Sequence, residues 1–67
     1  MTPDPLDTWV GLNAVVPRLD EAACLALLTR EREGRKRITF LLRVHSRLNK
    51  VRADRERAEL MELARHG

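Results

Sequence analysis

Thiol and imidazole chemistry in this sequence rests on three side chains, Cys24, His45 and His66. They form no Cys-x-x-Cys and no His-x-x-x-His pair, so we expect no structural zinc or other metal centre. A nucleophile, a base and an acid can be drawn from Cys24, His45 and Glu31. No spacing supports that set, and a chain of 67 residues is too short to enclose a pocket around it. Cys24 has no second cysteine to pair with, and its apolar neighbours mark it as a buried small hydrophobe. Gly11, Gly34 and Gly67 stand alone, which excludes a glycine-rich phosphate loop. The expectation is a protein that is not an enzyme, with no cofactor and no small-molecule substrate.

The chemistry that remains is binding by cations. Lys and Arg number 13 against 10 acidic residues, for a net charge of +3. The charge is split along the chain: residues 1–29 carry net −3 and residues 30–67 net +6. Arginine outnumbers lysine 11 to 2, which favours bidentate contacts to phosphate or carboxylate. At about 100° per helical residue, Lys36, Arg43, Arg47, Lys50 and Arg57 fall within about 80° of one another. Arg65 lies in line, and Asp54 is the one acidic interruption. Such a stripe suits a phosphate backbone or an acidic protein surface, so the expected partner is nucleic acid or a protein. Trp9 and Phe40 are the only aromatic residues and both sit on apolar faces, which argues against a stacking platform for single strands.

A second candidate surface lies farther along. Arg52, Arg55, Glu59 and Glu62 continue the angular sector of an apolar stripe, and we expect them beyond the reach of the preceding helix. Arg52–Glu56 and Arg55–Glu59 are possible pairs within the helix. Two copies packed head to tail would instead set the two arginines against Glu59 and Glu62 of the other copy. Leu60 and Leu63, with Met61 and Ala64, form an apolar patch at that end which a lone helix has no use for. The expectation is a self-association or partner seam, and hence a homo-oligomer or hetero-complex.

These residues need helices to position them. Residues 1–6 hold two of the three prolines and look like an extended lead-in. Asp7 is a candidate N-cap for a short helix over about residues 8–16, with Trp9, Leu12 and Val16 on one face and Pro17 ending it. Asp20 caps a second helix, residues 20–33, with Leu19 and Cys24 placed for a hydrophobic staple and Glu21 adding charge at the positive end of the dipole. Residues 22–28 are apolar on every side, so cover on more than one face is expected. Residues 30–33 look like a solvated last turn before Gly34 as the C′ residue. A third helix, residues 36–65, follows with almost no loop and outruns its hairpin partner. Ile38, Leu41, Val44, His45, Leu48 and Val51 should be its core stripe, packed on Leu27, Leu28 and the Trp9 helix, with Leu27, Leu41 and Leu48 buried together. A helix-turn-helix would present Arg35, Lys36, Arg37 and Thr39, but the joint is too short and the third helix too long for it.

The fold class is therefore all-α: a single small domain, a short N-terminal helix plus an αα-hairpin with a long projecting C-terminal helix. The longest apolar run, residues 22–28, is far short of the roughly 20 residues a bilayer requires, so no membrane role is expected. Met1-Thr2-Pro3-Asp4-Pro5 has no basic region followed by an apolar one, and a cytoplasmic location is expected.

The Trp9 to Asn13 opening (Trp-Val-x-Leu-Asn), followed by Leu19-Asp20-Glu21, Leu27-Leu28, Gly34-Arg35, Phe40-Leu41 and Arg55-Glu56-Arg57, resembles small helical-hairpin proteins encoded by tailed bacteriophages. The resemblance spans most of the chain and carries no activity. It implies a phage setting: an accessory protein acting on host machinery in the host cytoplasm, or alternatively a self-associating structural subunit of a larger particle such as a virion.

Overall fold

The computed structural model describes residues 4–66. Three α-helices follow one another: α1 (Trp9–Val15), α2 (Glu21–Glu33) and α3 (Ile38–His66), with a 3-10 turn at Val16–Arg18 between the first two. There is no strand among the described residues. The molecule measures 47 × 23 × 15 Å. The long axis matches α3, whose length at 1.5 Å per residue is about 44 Å.

The cap of α1 is Thr8 rather than Asp7. Thr8 has extended backbone, and its Oγ1 accepts from Gly11 N–H at 2.9 Å. A Cβ on Gly11 would meet that hydroxyl at 2.9 Å, so glycine keeps the cap unobstructed. Asp7 closes the preceding turn instead, its N–H bonding Asp4 O at 3.0 Å. Pro17 does not push Val16 out of the helical region, for Val16 keeps φ −49 and ψ −46. The α-helix stops at Val15, and Pro17 sits in the first turn of the 3-10 segment, where a missing N–H costs nothing.

Residues 4–7 are not an extended lead-in. Leu6 N–H bonds Asp4 Oδ1 at 2.9 Å, Leu6 is buried, and Asp4 pairs with Arg30 near the end of α2. Residues 1–3 of the expected lead-in lie outside the described residues.

Asp20 caps α2 as expected, its Oδ1 accepting from Ala23 N–H at 2.8 Å. Leu19 packs against the core that holds buried Cys24. Only one face of α2 is covered, that of Cys24, Leu27, Leu28 and Glu31, while Ala22, Leu25 and Ala26 are exposed. Two layers suffice in so small a domain, and the other apolar residues of α2 stay in contact with water.

The joint to α3 is longer than expected, residues 34–37, and α3 begins at Ile38. Gly34 caps α2 through an N–H bond to Arg30 O of 2.9 Å, and a Cβ there would crowd that carbonyl. Lys36, at φ 54, is the one residue in the left-handed region among those described. The pairing is antiparallel: Glu21 at the start of α2 meets Arg52 and Arg55, and Glu31 near its end meets Arg37. That hairpin excludes the helix-turn-helix arrangement.

The core comprises Leu6, Leu12, Val16, Cys24, Leu27, Leu28, Phe40, Val44 and Leu48, with Leu41 half-buried at its edge. Burying an aliphatic side chain of this size contributes about 1.5–3 kcal/mol. Ile38 and His45 are exposed and leave the expected stripe, while Phe40 joins it. The stripe is rotated toward Phe40, whose ring meets Trp9 and Arg37. Trp9 stacks edge-on against Phe40, with centroids 5.4 Å apart and planes at 63°.

Candidate functional site

Of the five residues of the expected basic stripe, four stand on α3 and one does not. Lys36 lies in the joint, not on α3. Arg43 donates from Nε to Asn13 Oδ1 at 2.7 Å, which ties α3 to α1. Arg47 donates from Nε to Leu19 O at 3.1 Å, which ties α3 to the entrance of α2. Both are half-buried. Lys50 is exposed, 3.3 Å from Asp54. Arg43, Arg47 and Lys50 meet around one shallow groove whose other walls are Val16, Pro17 and Ser46. Arg57 lines a second shallow groove with Lys50, Ala53 and Asp54, farther along the same side of α3, and Arg65 is 3.6 Å from Glu62. Arg43, Arg47, Lys50 and Arg57 thus follow one side of α3 through two grooves that share Lys50, and the first three cluster at the junction of α3 with the turn after α1.

The expected seam is arranged differently from its sequence reading. Arg52 and Arg55 are within reach of α2: Arg52 Nε lies 3.2 Å from Glu21 Oε1, and Arg55 pairs with Glu21 Oε2. Glu59 pairs with Arg55 at 3.6 Å, and Glu62 with His66 at 2.7 Å. The hairpin extends about a turn farther than expected because Glu21, at the first position of α2, projects toward α3. These charges are answered within the chain. Leu60 and Leu63, in contrast, are exposed, as is every residue from 53 to 66.

One polar centre was not anticipated. Glu31 is only 3% exposed, although it stands in a run of charges that suggested a solvated turn. Its Oε2 accepts from the backbone N–H and Nε of Arg37, and its Oε1 from Arg37 Nη2 at 2.9 Å. Arg37 Nη2 also donates to Leu6 O at 2.8 Å, and its guanidinium carbon sits 3.5 Å from the centre of the Phe40 ring. The Arg37 hydrogen bonds hold the Glu31 carboxyl below its usual range against the opposing effect of desolvation. The signal was present: Cys24, Leu27, Leu28 and Glu31 follow an i, i+3, i+4, i+7 pattern, so Glu31 occupies the core stripe. This centre is structural, since every oxygen has a partner inside the chain.

Burial raises the Cys24 thiol above its ordinary range, which makes it a poor nucleophile. Among the described residues no three His, Cys, Asp or Glu side chains come together as a metal would need, and no helix is long and apolar enough to cross a membrane. Comparison with protein families, with curated proteins and with solved structures finds no match to this chain.

Proposed function

We propose that this chain is a non-enzymatic binding module that engages an acidic macromolecular surface through Arg43, Arg47 and Lys50. One observation carries the reading. Both arginines are anchored inward through Nε, to Asn13 and to Leu19, so their guanidinium groups are positioned before any partner arrives. Ordering a long side chain at an interface costs about 0.5–1.5 kcal/mol, and here folding has already met that cost. The cluster spans two helical turns, about 10 Å, which matches a few successive phosphates or carboxylates. In the tailed-phage setting that the resemblance implies, the partner is a host protein or nucleic acid, met in the host cytoplasm.

The test places acid in the groove without touching the anchors. Ser46→Glu with Lys50→Glu alters two exposed positions and leaves Arg43 and Arg47 in place. Binding to labelled duplex DNA and to polyglutamate is read by anisotropy across a salt series. The parent is expected to bind at least one of them with affinity falling steeply in salt, and the double variant to lose that binding. Binding of neither polymer by the parent, or equal binding by the variant, rejects the reading.

A self-associating structural subunit, as in a virion, is the second reading. The exposed Leu60 and Leu63 favour it. Arg52 and Arg55 do not carry it, because Glu21 engages both.

A further inference from the structure

The long helix α3 has three faces about 120° apart. One packs on α2 through Val44 and Leu48, and one holds the Arg43–Arg47–Lys50 cluster beside the turn after α1. The third contacts neither. It begins at Ile38 and Leu42 and ends at Leu60 and Leu63, which are 64%, 59%, 66% and 69% exposed. Between them on the same face are His45, Asn49, Ala53 and Glu56, all exposed. Successive positions are three or four residues apart, the spacing of a helix–helix seam.

From this face we propose that α3 pairs antiparallel with α3 of a second copy, with the two-fold axis between Lys50 and Val51. The inference rests on the self-association reading and is independent of the basic cluster. The order of residues is self-complementary in that one register. Ile38 falls level with Leu63 of the other copy, and Leu42 lies one residue, about 1.5 Å, from level with Leu60. His45 falls level with Glu56, and Asn49 lies one residue from level with Ala53. Every large apolar residue on the face meets another, and the one carboxylate on it meets the one imidazole. Among the described residues Glu56 makes no ion pair within its own chain, unlike Glu59 and Glu62. A parallel pair would instead set each Glu56 against its own copy, a like-charge contact that disfavours that orientation. A two-fold interface uses the same patch on both copies, as this face allows. The pairing also covers the otherwise single-layered end of α3 with the proximal half of its partner.

Sedimentation equilibrium and cysteine cross-linking test the pairing, in a Cys24→Ala background for the second. The unaltered chain is expected to sediment as a dimer that dissociates on dilution. Leu60→Asp, at an exposed position, is expected to raise the dissociation constant about tenfold or more. An equimolar mixture of Asn49→Cys and Ala53→Cys chains is expected to give a disulfide-linked heterodimer, whereas either chain alone is not. A monomer at every concentration, or a dimer indifferent to Leu60→Asp, overturns the interface. A dimer whose single-cysteine chains cross-link to themselves while the mixture gives no heterodimer overturns the antiparallel register but leaves self-association standing. Melting of Cys24→Ala against the parent checks that the background remains folded.

Discussion

Glu31 Oε2 accepts hydrogen bonds from both the backbone N–H and the Nε of Arg37, at 2.8 and 2.9 Å. One buried carboxylate therefore closes the joint between α2 and α3. The same arginine reaches Leu6 O and covers the Phe40 ring, so the N-terminal turn, α2 and α3 converge on one ion pair.

Removing one partner should cost more than removing both. Glu31→Leu leaves a half-buried guanidinium without its carboxylate and is expected to cost about 2–3 kcal/mol. Glu31→Leu combined with Arg37→Met replaces the pair with apolar groups and is expected to cost clearly less than the single change. Urea unfolding followed by Trp9 fluorescence compares them, since Trp9 stacks on the Phe40 ring that Arg37 covers. Additive losses would mean that the two residues act separately.

Acid should unfold the protein through this pair. Glu31 is held low by Arg37, and Asp4 is held low first by Arg30 and then by the Leu6 N–H. A carboxylate depressed in the folded state contributes stability that is complete above its unfolded pKa, about 4. That contribution is lost as pH falls through the folded value. The melting temperature should hold between about pH 7 and 5 and fall below that. Arg30 and Asp4 are more exposed and screened by solvent, so Glu31→Gln should remove most of the acid slope and Asp4→Asn little of it.

The parts of this fold that were legible are those fixed by local chemistry. Asp20 caps α2, and Leu19 and Cys24 both join the core, because each needs only signals within one helical turn. The hairpin followed from Gly34 and from the uninterrupted run after it. What sequence reasoning missed needed a third element. Ile38 and His45 belong to the apolar stripe by spacing, but Trp9 and Arg37 pack on the ring of Phe40, which spacing left off the stripe, and α3 is turned that way. Arg43 and Arg47 looked like free cations because Asn13 and Leu19 O are remote in sequence and come close only through the turn containing Pro17. Glu31 looked solvated because its neighbours are charged, yet its spacing from Leu27 and Leu28 set it on the buried stripe.

Lys36 reports on the joint in another way. At φ 54 it sits where a side chain is disfavoured and glycine is not. Lys36→Gly is expected to leave stability equal or slightly raised. Lys36→Val, with its branched Cβ, is expected to lose about 1–2 kcal/mol. Chemical denaturation of the three chains distinguishes this from a joint that relaxes, in which case both substitutions would be silent.

Cys24 provides a probe of opening. Its side chain is fully enclosed, and burial raises its pKa, so little thiolate exists at neutral pH. Reaction with an aromatic disulfide reagent should be slow in the native protein. It should accelerate in urea in step with the loss of Trp9 fluorescence. Fast labelling in buffer would show that the face of α2 opens without global unfolding.

The distal part of α3 should behave unlike the rest. Glu21, the first residue of α2, meets α3 at Arg52 and Arg55, and residues 56–66 beyond them are all exposed on a single helix. Isolated helices shorter than about 12–15 residues are marginal in water, and the Arg55–Glu59 and Glu62–His66 pairs each add only a few tenths of a kcal/mol. In dilute solution the amides of residues 56–66 should therefore exchange far faster than those of Val44 and Leu48. Raising the protein concentration should slow the distal amides as Leu60 and Leu63 meet Leu42 and Ile38 of another copy. Leu60→Asp should abolish that dependence while leaving exchange at Val44 unchanged. Slow distal exchange that ignores concentration would show instead that the projecting end holds its helix alone, and the exposed leucines would then have no part in its order.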